Sequence, residues 1–279
     1  MHLCVTCQPV RPVFSGLIKA ANGRKPIEHE RAAVKRARSK MRRALAKYLK
    51  GKAAEAALQL AQILELAEKR SPSRARAEAA LAQLELDWSD APEMLEQYLA
   101  AVAVSGGGAA LEQLGIGQGE ERDLMRLRAE AWARQRSAEL VGMKWVDGEL
   151  VPNPRGEWQI DEATRSMLRT AVEDAIDEGW SAQKLAEQIA ADHAFSDARA
   201  ETIARTEIAF ADTEGTLIGW ERSGLVAGKE WLTADDCCDE CQALDGEVVG
   251  LRDEFPGGVS GPPAHPNCRC TVLSVLADN

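Results

Sequence analysis

The chain lacks any apolar run near the ~20 residues that cross a bilayer as a helix, so no membrane role is expected. Its first residues, Met1 to Pro12, lack the charged-then-apolar layout of a secretory signal. Maturation in a reducing cytoplasm is therefore the expectation. Histidine is scarce: His2, His29, His193 and His265 are the four, and they show no shared spacing. A hydrolytic metal site built on histidines is poorly served by such a set. There is no internal repeat, and no low-complexity tract beyond one Ala-rich helical stretch.

Acid is missing from one region in particular. Between Lys19 and Lys52 thirteen Lys or Arg face only Glu28 and Glu30, a local charge of +11 in a chain whose formal charge is −10. The remainder must carry −21, which describes a basic arm on an acidic body. Basic arms seek phosphates or acidic protein surfaces. The acidic remainder is a poor candidate for wrapping nucleic acid.

What is present is an ordinary globular composition. Across 279 residues, 45% are hydrophobic and 28% charged, enough for one large or two ordinary domains with a buried core. Residues 1–27 read as an irregular arm broken by Pro9, Pro12, Gly16, Gly23 and Pro26. A long helix is predicted from about Glu28, with Val34, Met41, Leu45 and Tyr48 at helical spacing. Lys35, Arg36, Arg38, Lys40, Arg42, Arg43 and Lys47 cover its other faces. These seven are the candidate contacts to double-stranded DNA, through phosphates and without base reading, or to an acidic protein surface. Gly51 is a candidate interruption before an Ala- and Leu-rich helix over 53–70.

Ser71-Pro72-Ser73 and Asp90-Ala91-Pro92 each read as a helix stop and restart, the second opening a helix to about Val104. Gly106-Gly107-Gly108 and the stretch from Gly115 to Gly119 read as flexible connectors. Leu124, Leu127, Ala131, Ala138 and Val141 mark the apolar stripe of a helix from Glu120. The texture then changes. Asp147-Gly148 between two short apolar runs predicts a hairpin. Helices are predicted over 162–178 with Asp161 as cap, from Ser181 to about Asp192, and from Ser196 to Ser223 with a stop at Gly224. Lys229–Thr233 and Thr271–Leu276 read as strands. Six of the seven Trp lie at or after Trp132, so the second half is expected to hold the tighter core and the first to offer helices in need of partners.

Seven cysteines in a chain expected to stay reduced point to metal rather than disulfides. Cys238-Asp239-Glu240-Cys241 sets two thiols at knuckle spacing, and His265-Pro266-Asn267-Cys268-Arg269-Cys270 supplies a second cluster. Zinc takes four N or S ligands in a tetrahedron. The layout offers five donors, Cys238, Cys241, His265, Cys268 and Cys270, or six with Cys237, and leaves the fourth ligand open among His265, Cys268 and Cys270. Cys268 and Cys270 can both ligate only if their segment turns tightly. Metal would supply folding energy to a loop with little apolar sequence. Cys4 and Cys7 with His2 form only half a site.

Further motifs accompany the cysteines. Ala204-Arg205-Thr206-Glu207 is followed by Gly215, Trp220 and Ser223-Gly224, and then by Lys229-Glu230-Trp231-Leu232-Thr233-Ala234-Asp235-Asp236. The Cys238 knuckle, Leu244-Asp245-Gly246 and Pro262-Pro263 ahead of His265 complete the series. From about Trp158 to Val275 this order resembles the Mu F-like head morphogenesis proteins of phages. The resemblance implies a minor head protein, encoded beside a portal protein and built into the procapsid in few copies. Its implied partners are the portal and the major capsid or scaffolding protein. Its implied places are the virion head and, during assembly, the host cytoplasm.

The expected architecture is a mainly α N-terminal half and a small α+β C-terminal domain stapled by a Cys/His zinc site. Divided along the chain, it gives a basic arm and helix over 1–52, a helical region over 53–141, and a C-terminal domain over 142–279 whose zinc module occupies 229–276. The expected function is structural, with no catalytic residues. The competing reading is a metal-dependent nuclease or other phage enzyme using Asp235, Asp236, Asp239 and Glu240, which are more simply a solvated turn. Arg205 and Glu207 are expected to fix their helix to the zinc module as an ion-pair cluster or to be the relic of a catalytic Arg/Glu site; the plainer alternative is a helix-surface charge pair, although residues two apart do not face each other.

Overall fold

A computed structural model describes residues 31–66, 73–117, 119–153, 155 and 159–277. The 1–27 arm with its Cys4, Cys7 and His2, the helix start at Glu28 and the Ser71-Pro72 break lie outside the described residues. The N-terminal half is helical: α1 (Ala32–Leu66), α2 (Ser73–Gln83), α3 (Ala91–Gln113) and α4 (Glu120–Glu139). A hairpin, β1 (Met143–Val146) with β2 (Glu149–Pro152), leads to α5 (Ile160–Glu178), α6 (Ala182–Ala191), a single 3-10 turn (His193–Phe195) and α7 (Asp197–Ser223). The chain ends in β3 (Val226–Leu232), the short α8 (Asp239–Gln242), β4 (Val248–Gly250) and β5 (Thr271–Leu276). The fold is therefore mainly α with a small α+β C-terminal region. No described helix is long and apolar enough to cross a membrane.

Local chemistry places most boundaries. The hairpin turns on Asp147 and Gly148, both at positive φ (51° and 86°), the conformation a two-residue turn demands. Ser181 Oγ accepts from Lys184 N to cap α6, and Ser196 Oγ accepts from Arg199 N to cap α7. Gly224, left-handed at φ 66°, stops α7. Asp161 does not cap α5. The cap position is Gln159, and Asp161 instead accepts from Trp88 Nε1 at 2.8 Å and from Arg165 Nε at 2.8 Å.

The glycine triplet is the main departure from the sequence reading. Gly106-Gly107-Gly108 is buried inside α3 and forms no connector. It lies where α3 crosses α7 at backbone contact. A Cβ on Gly215 would sit 2.0 Å from the Ala103 carbonyl oxygen, and one on Gly219 would sit 2.6 Å from that of Gly107. On Gly107 it would meet Met125 Sδ at 2.4 Å. Ala103 and Gly107 on α3 thus face Gly215 and Gly219 on α7, small residues four apart on both helices, which lets two helix backbones touch. Burial at this crossing outweighs the roughly 1 kcal/mol that each glycine costs a helix interior.

The larger core cluster runs from Val34 in α1 to Ile218 in α7 and joins both halves of the chain. The N-terminal helices are therefore not waiting for partners: α1 packs on α3, α6 and α7. Gly51 does not interrupt α1, which continues through it to Leu66. On α4 the buried stripe is Met125, Ala129, Ala133 and Ala138, while Leu127 is exposed, so the apolar face is rotated from the one expected. Buried Arg199 ties the region together. Its guanidinium donates to Thr164 Oγ1 (2.8 Å) and to the carbonyls of Ala194 (2.6 Å) and Ile160 (2.9 Å), and desolvation lowers its pKa to about 10.

The smaller cluster belongs to the C-terminal region. A three-stranded antiparallel sheet in the order β4-β3-β5 pairs Trp231 with Val272 and Leu232 with Thr271. Trp231 is fully buried and meets Phe255 edge-on at 5.1 Å between centroids. Leu217 and Trp220 of α7, with Leu244, Cys241 and Cys268, complete this core. The loop between the two cysteine clusters thus buries Leu244 and Phe255, more apolar contact than its Gly/Pro-rich sequence suggests.

Candidate metal centre

Two segments bring the donors together. After β3 the chain turns through Ala234–Cys237 and enters α8 with Cys238 as its cap residue, so that Cys241 sits one turn on and fully inward, 1% exposed. Asp245 locks this turn to β3: its Oδ1 accepts from Thr233 N (3.0 Å) and Thr233 Oγ1 (2.8 Å). Gly246, at φ 74°, then lets its N–H reach the Trp231 carbonyl at 2.9 Å. The second segment makes a tight turn in which Cys268 N donates to the His265 carbonyl at 3.1 Å, with Asn267 left-handed at φ 63°. That turn is the condition under which Cys268 and Cys270 both approach one point.

Three of the resulting distances match edges of a tetrahedral ion site. His265 Nε2 lies 3.2 Å from Cys238 Sγ and 3.3 Å from Cys241 Sγ, and Cys241 Sγ lies 3.7 Å from Cys268 Sγ. Zinc bonds to sulfur of ~2.3 Å give tetrahedral S–S edges of about 3.8 Å and slightly shorter S–N edges. Two triads of donors emerge, Cys238–Cys241–His265 and Cys241–Cys268–Cys270, each within 4.8 Å and sharing Cys241. Cys237 belongs to neither and packs against the apolar cluster, so Cys238 begins the knuckle. All five described cysteines are free thiols.

The electrostatics favour ligation. His265 Nδ1 is 2.9 Å from the Pro266 carbonyl, an acceptor only, so Nδ1 carries the proton and Nε2 presents its lone pair to the thiols. Without metal, a hydrogen bond from Cys270 pulls the Cys268 thiol well below its ordinary range, and Cys270 is pushed up in return. Burial pushes Cys241 up. A cation at the centre of these thiols would relieve that crowding by taking the place of shared protons.

The other candidates are placed apart from this centre. Asp235, Asp236, Asp239 and Glu240 are exposed, and Asp236 pairs with Arg269. Two surface clefts hold none of the five donors: one of about 330 Å³ lies between α2 and α5, the other of about 190 Å³ beside Arg136, Phe210 and Pro262. Glu207 is buried but binds Arg136 of α4, and Arg205 pairs with Glu201 one turn back on its own helix. Neither reaches the cysteine cluster through a described contact. Thr206 between them does: its Oγ1 accepts from Asn267 N at 3.1 Å. Sequence reasoning passed over Thr206, whose only signal was a polar side chain inside a motif on a helix.

The seven basic candidates divide. Lys35, Arg36, Lys40, Arg43 and Lys47 are exposed. Arg38 and Arg42 are partly buried against α7, with Glu201 at 3.8 and 3.5 Å. Arg36, Lys40, Arg43 and Lys47 recur at spacings of four and three, so they form one cationic stripe on the outer face of α1.

A helical body carrying a small sheet module with a clustered Cys/His centre is the class that fold and site define. Residues 166–273, which include α7, β3, β4, the start of β5 and all five donors, match the family model described as Phage Mu protein F like protein. No curated protein and no solved structure matches the chain. The matched segment supports a phage head-related protein.

Proposed function

We propose that this chain is a structural minor head protein that acts in phage head assembly, with a zinc-stapled C-terminal module and no catalytic role. The observation that carries the reading is the convergence, inside the family-matched segment, of two donor triads on the shared Cys241, with His265 Nε2 3.3 Å and Cys268 Sγ 3.7 Å from its sulfur. Cys270 stands beside Cys241 and Cys268 as a fifth donor. A catalytic zinc keeps an open position for water or substrate; five protein donors on two short turns suit a closed site. Zinc there would supply binding energy to the fold of a module whose two knuckles are joined by a long loop.

The module is proposed as the docking surface for the portal or the shell, and the α1 stripe as the contact to packaged double-stranded DNA. Phosphate contact needs only cations on one accessible face, which Arg36, Lys40, Arg43 and Lys47 supply. The reading places the protein in the virion head and, before that, in the cytoplasm of the host. Mass spectrometry of purified procapsids and mature heads tests it. The expected result is this chain at low copy number beside the portal protein. Its absence from both particles would overturn the assembly role.

A further inference from the structure

We infer that Thr206 is a positioning residue for the metal centre, the point through which the helical body holds the His265–Cys268 turn in ligating geometry. The inference rests on the metal-staple reading and deepens it.

Thr206 is 3% exposed and sits mid-way along α7, a helix packed on α1, α3 and α4. Its hydroxyl accepts from the backbone N–H of Asn267, 61 residues on, at 3.1 Å. Asn267 is one of two non-glycine residues with positive φ among those described. An L-residue adopts that conformation at a cost and persists in it where neighbours over-determine it. Here the next N–H, of Cys268, returns to the His265 carbonyl at 3.1 Å, closing the turn that aims both His265 and Cys268 at Cys241. A hydrogen bond at the apex of this turn, anchored on a helix of the packed body, fixes where His265 and Cys268 stand. Cys238 and Cys241 stand on the turn after β3, which the Thr233–Asp245 hydrogen bonds close, and do not depend on α7 in this way.

The centre is therefore held from both sides: the sheet orients one knuckle and α7 the other. Thr206 touches no donor atom, and its action passes through the backbone of Asn267. Metal affinity should respond to it more than a remote loss of stability would.

The test uses the full chain loaded with Co(II) in place of zinc, with competition by a chromophoric chelator and the thiolate-to-cobalt absorption bands as readouts. Thr206→Val keeps the shape and removes the acceptor; Thr206→Ser keeps the acceptor. Leu60→Ala, in the buried face of α1 and away from the module, controls for general destabilisation. The expected result is affinity about five- to tenfold weaker for Thr206→Val, the size of one neutral hydrogen bond, with altered absorption bands. Thr206→Ser should return to the wild-type values and Leu60→Ala should match the wild type although less stable. Unchanged affinity and spectrum in Thr206→Val, or the same loss in Leu60→Ala, would overturn the inference while leaving the staple intact. Wild-type protein that takes up no cobalt or zinc would remove both.

Discussion

Arg136 of α4 and Glu207 of α7 form a two-pronged ion pair, Nε to Oε2 at 2.8 Å and Nη2 to Oε1 at 2.9 Å, with the Glu207 side chain 3% exposed. Arg136 also lies over the Phe210 ring and 3.6 Å from Glu139. The pair joins a helix outside the family-matched segment to the Arg205-Thr206-Glu207 motif within it. The neighbouring acids raise the Arg136 pKa against its own desolvation.

Removing one member leaves the other charged and buried. Glu207→Ala should destabilise the chain by about 3 kcal/mol or more, read by denaturant unfolding. Replacing both, as Arg136→Met with Glu207→Leu, should recover much of that loss. A single mutant as stable as the wild type would mean the pair is more hydrated than its burial indicates.

The α3–α7 crossing makes opposite predictions for two helical glycines. Gly215→Ala puts a methyl against the Ala103 carbonyl and should cost about 1–3 kcal/mol through backbone displacement. Gly51, exposed within α1 with nothing within 4 Å of its Cβ position, should gain about 0.5–1 kcal/mol on becoming Ala. Thermal unfolding of both variants decides it. Equal effects would deny the close crossing.

The basic helix should separate into two functions. Changing Arg36, Lys40, Arg43 and Lys47 to Gln should weaken binding to duplex DNA and flatten its salt dependence, with little change in stability. Changing Arg38 and Arg42 should leave most of the binding and remove their contacts to Glu201, with a stability loss below about 1 kcal/mol because these pairs are partly solvated. Filter binding across a salt series, beside melting curves, reads both. Salt-independent binding would point to apolar contact instead.

The metal separates structure from catalysis. Cys241→Ser removes the donor that both triads share and should give protein that fails to fold its C-terminal region or to enter heads. Amides at Asp235, Asp236, Asp239 and Glu240 should leave folding, incorporation and infectious titre near wild type, since all four side chains are exposed. A folded, incorporated amide variant without infectivity would reopen the nuclease reading.

Local chemistry was legible wherever a residue type has one backbone habit or one ligand habit. Ser181, Ser196, Gly224 and Asp147-Gly148 marked their caps and turn in the sequence, and the cysteine and histidine spacing picked out the five side chains that the fold gathers. Each depends on neighbours within a few residues. Only the tertiary structure decided what Gly106–Gly108, Thr206 and Arg38 do, because their roles depend on elements distant in the chain. A glycine run reads the same as a linker or as a groove until another helix presses into it, as Gly215 and Gly219 do. A threonine inside a helix reads as filler until the N–H of Asn267 arrives at its hydroxyl. Arg38 reads as part of a basic face until Glu201 of α7 is brought within reach. Sequence fixes chemistry at short range, and packing alone determines which distant groups complete it.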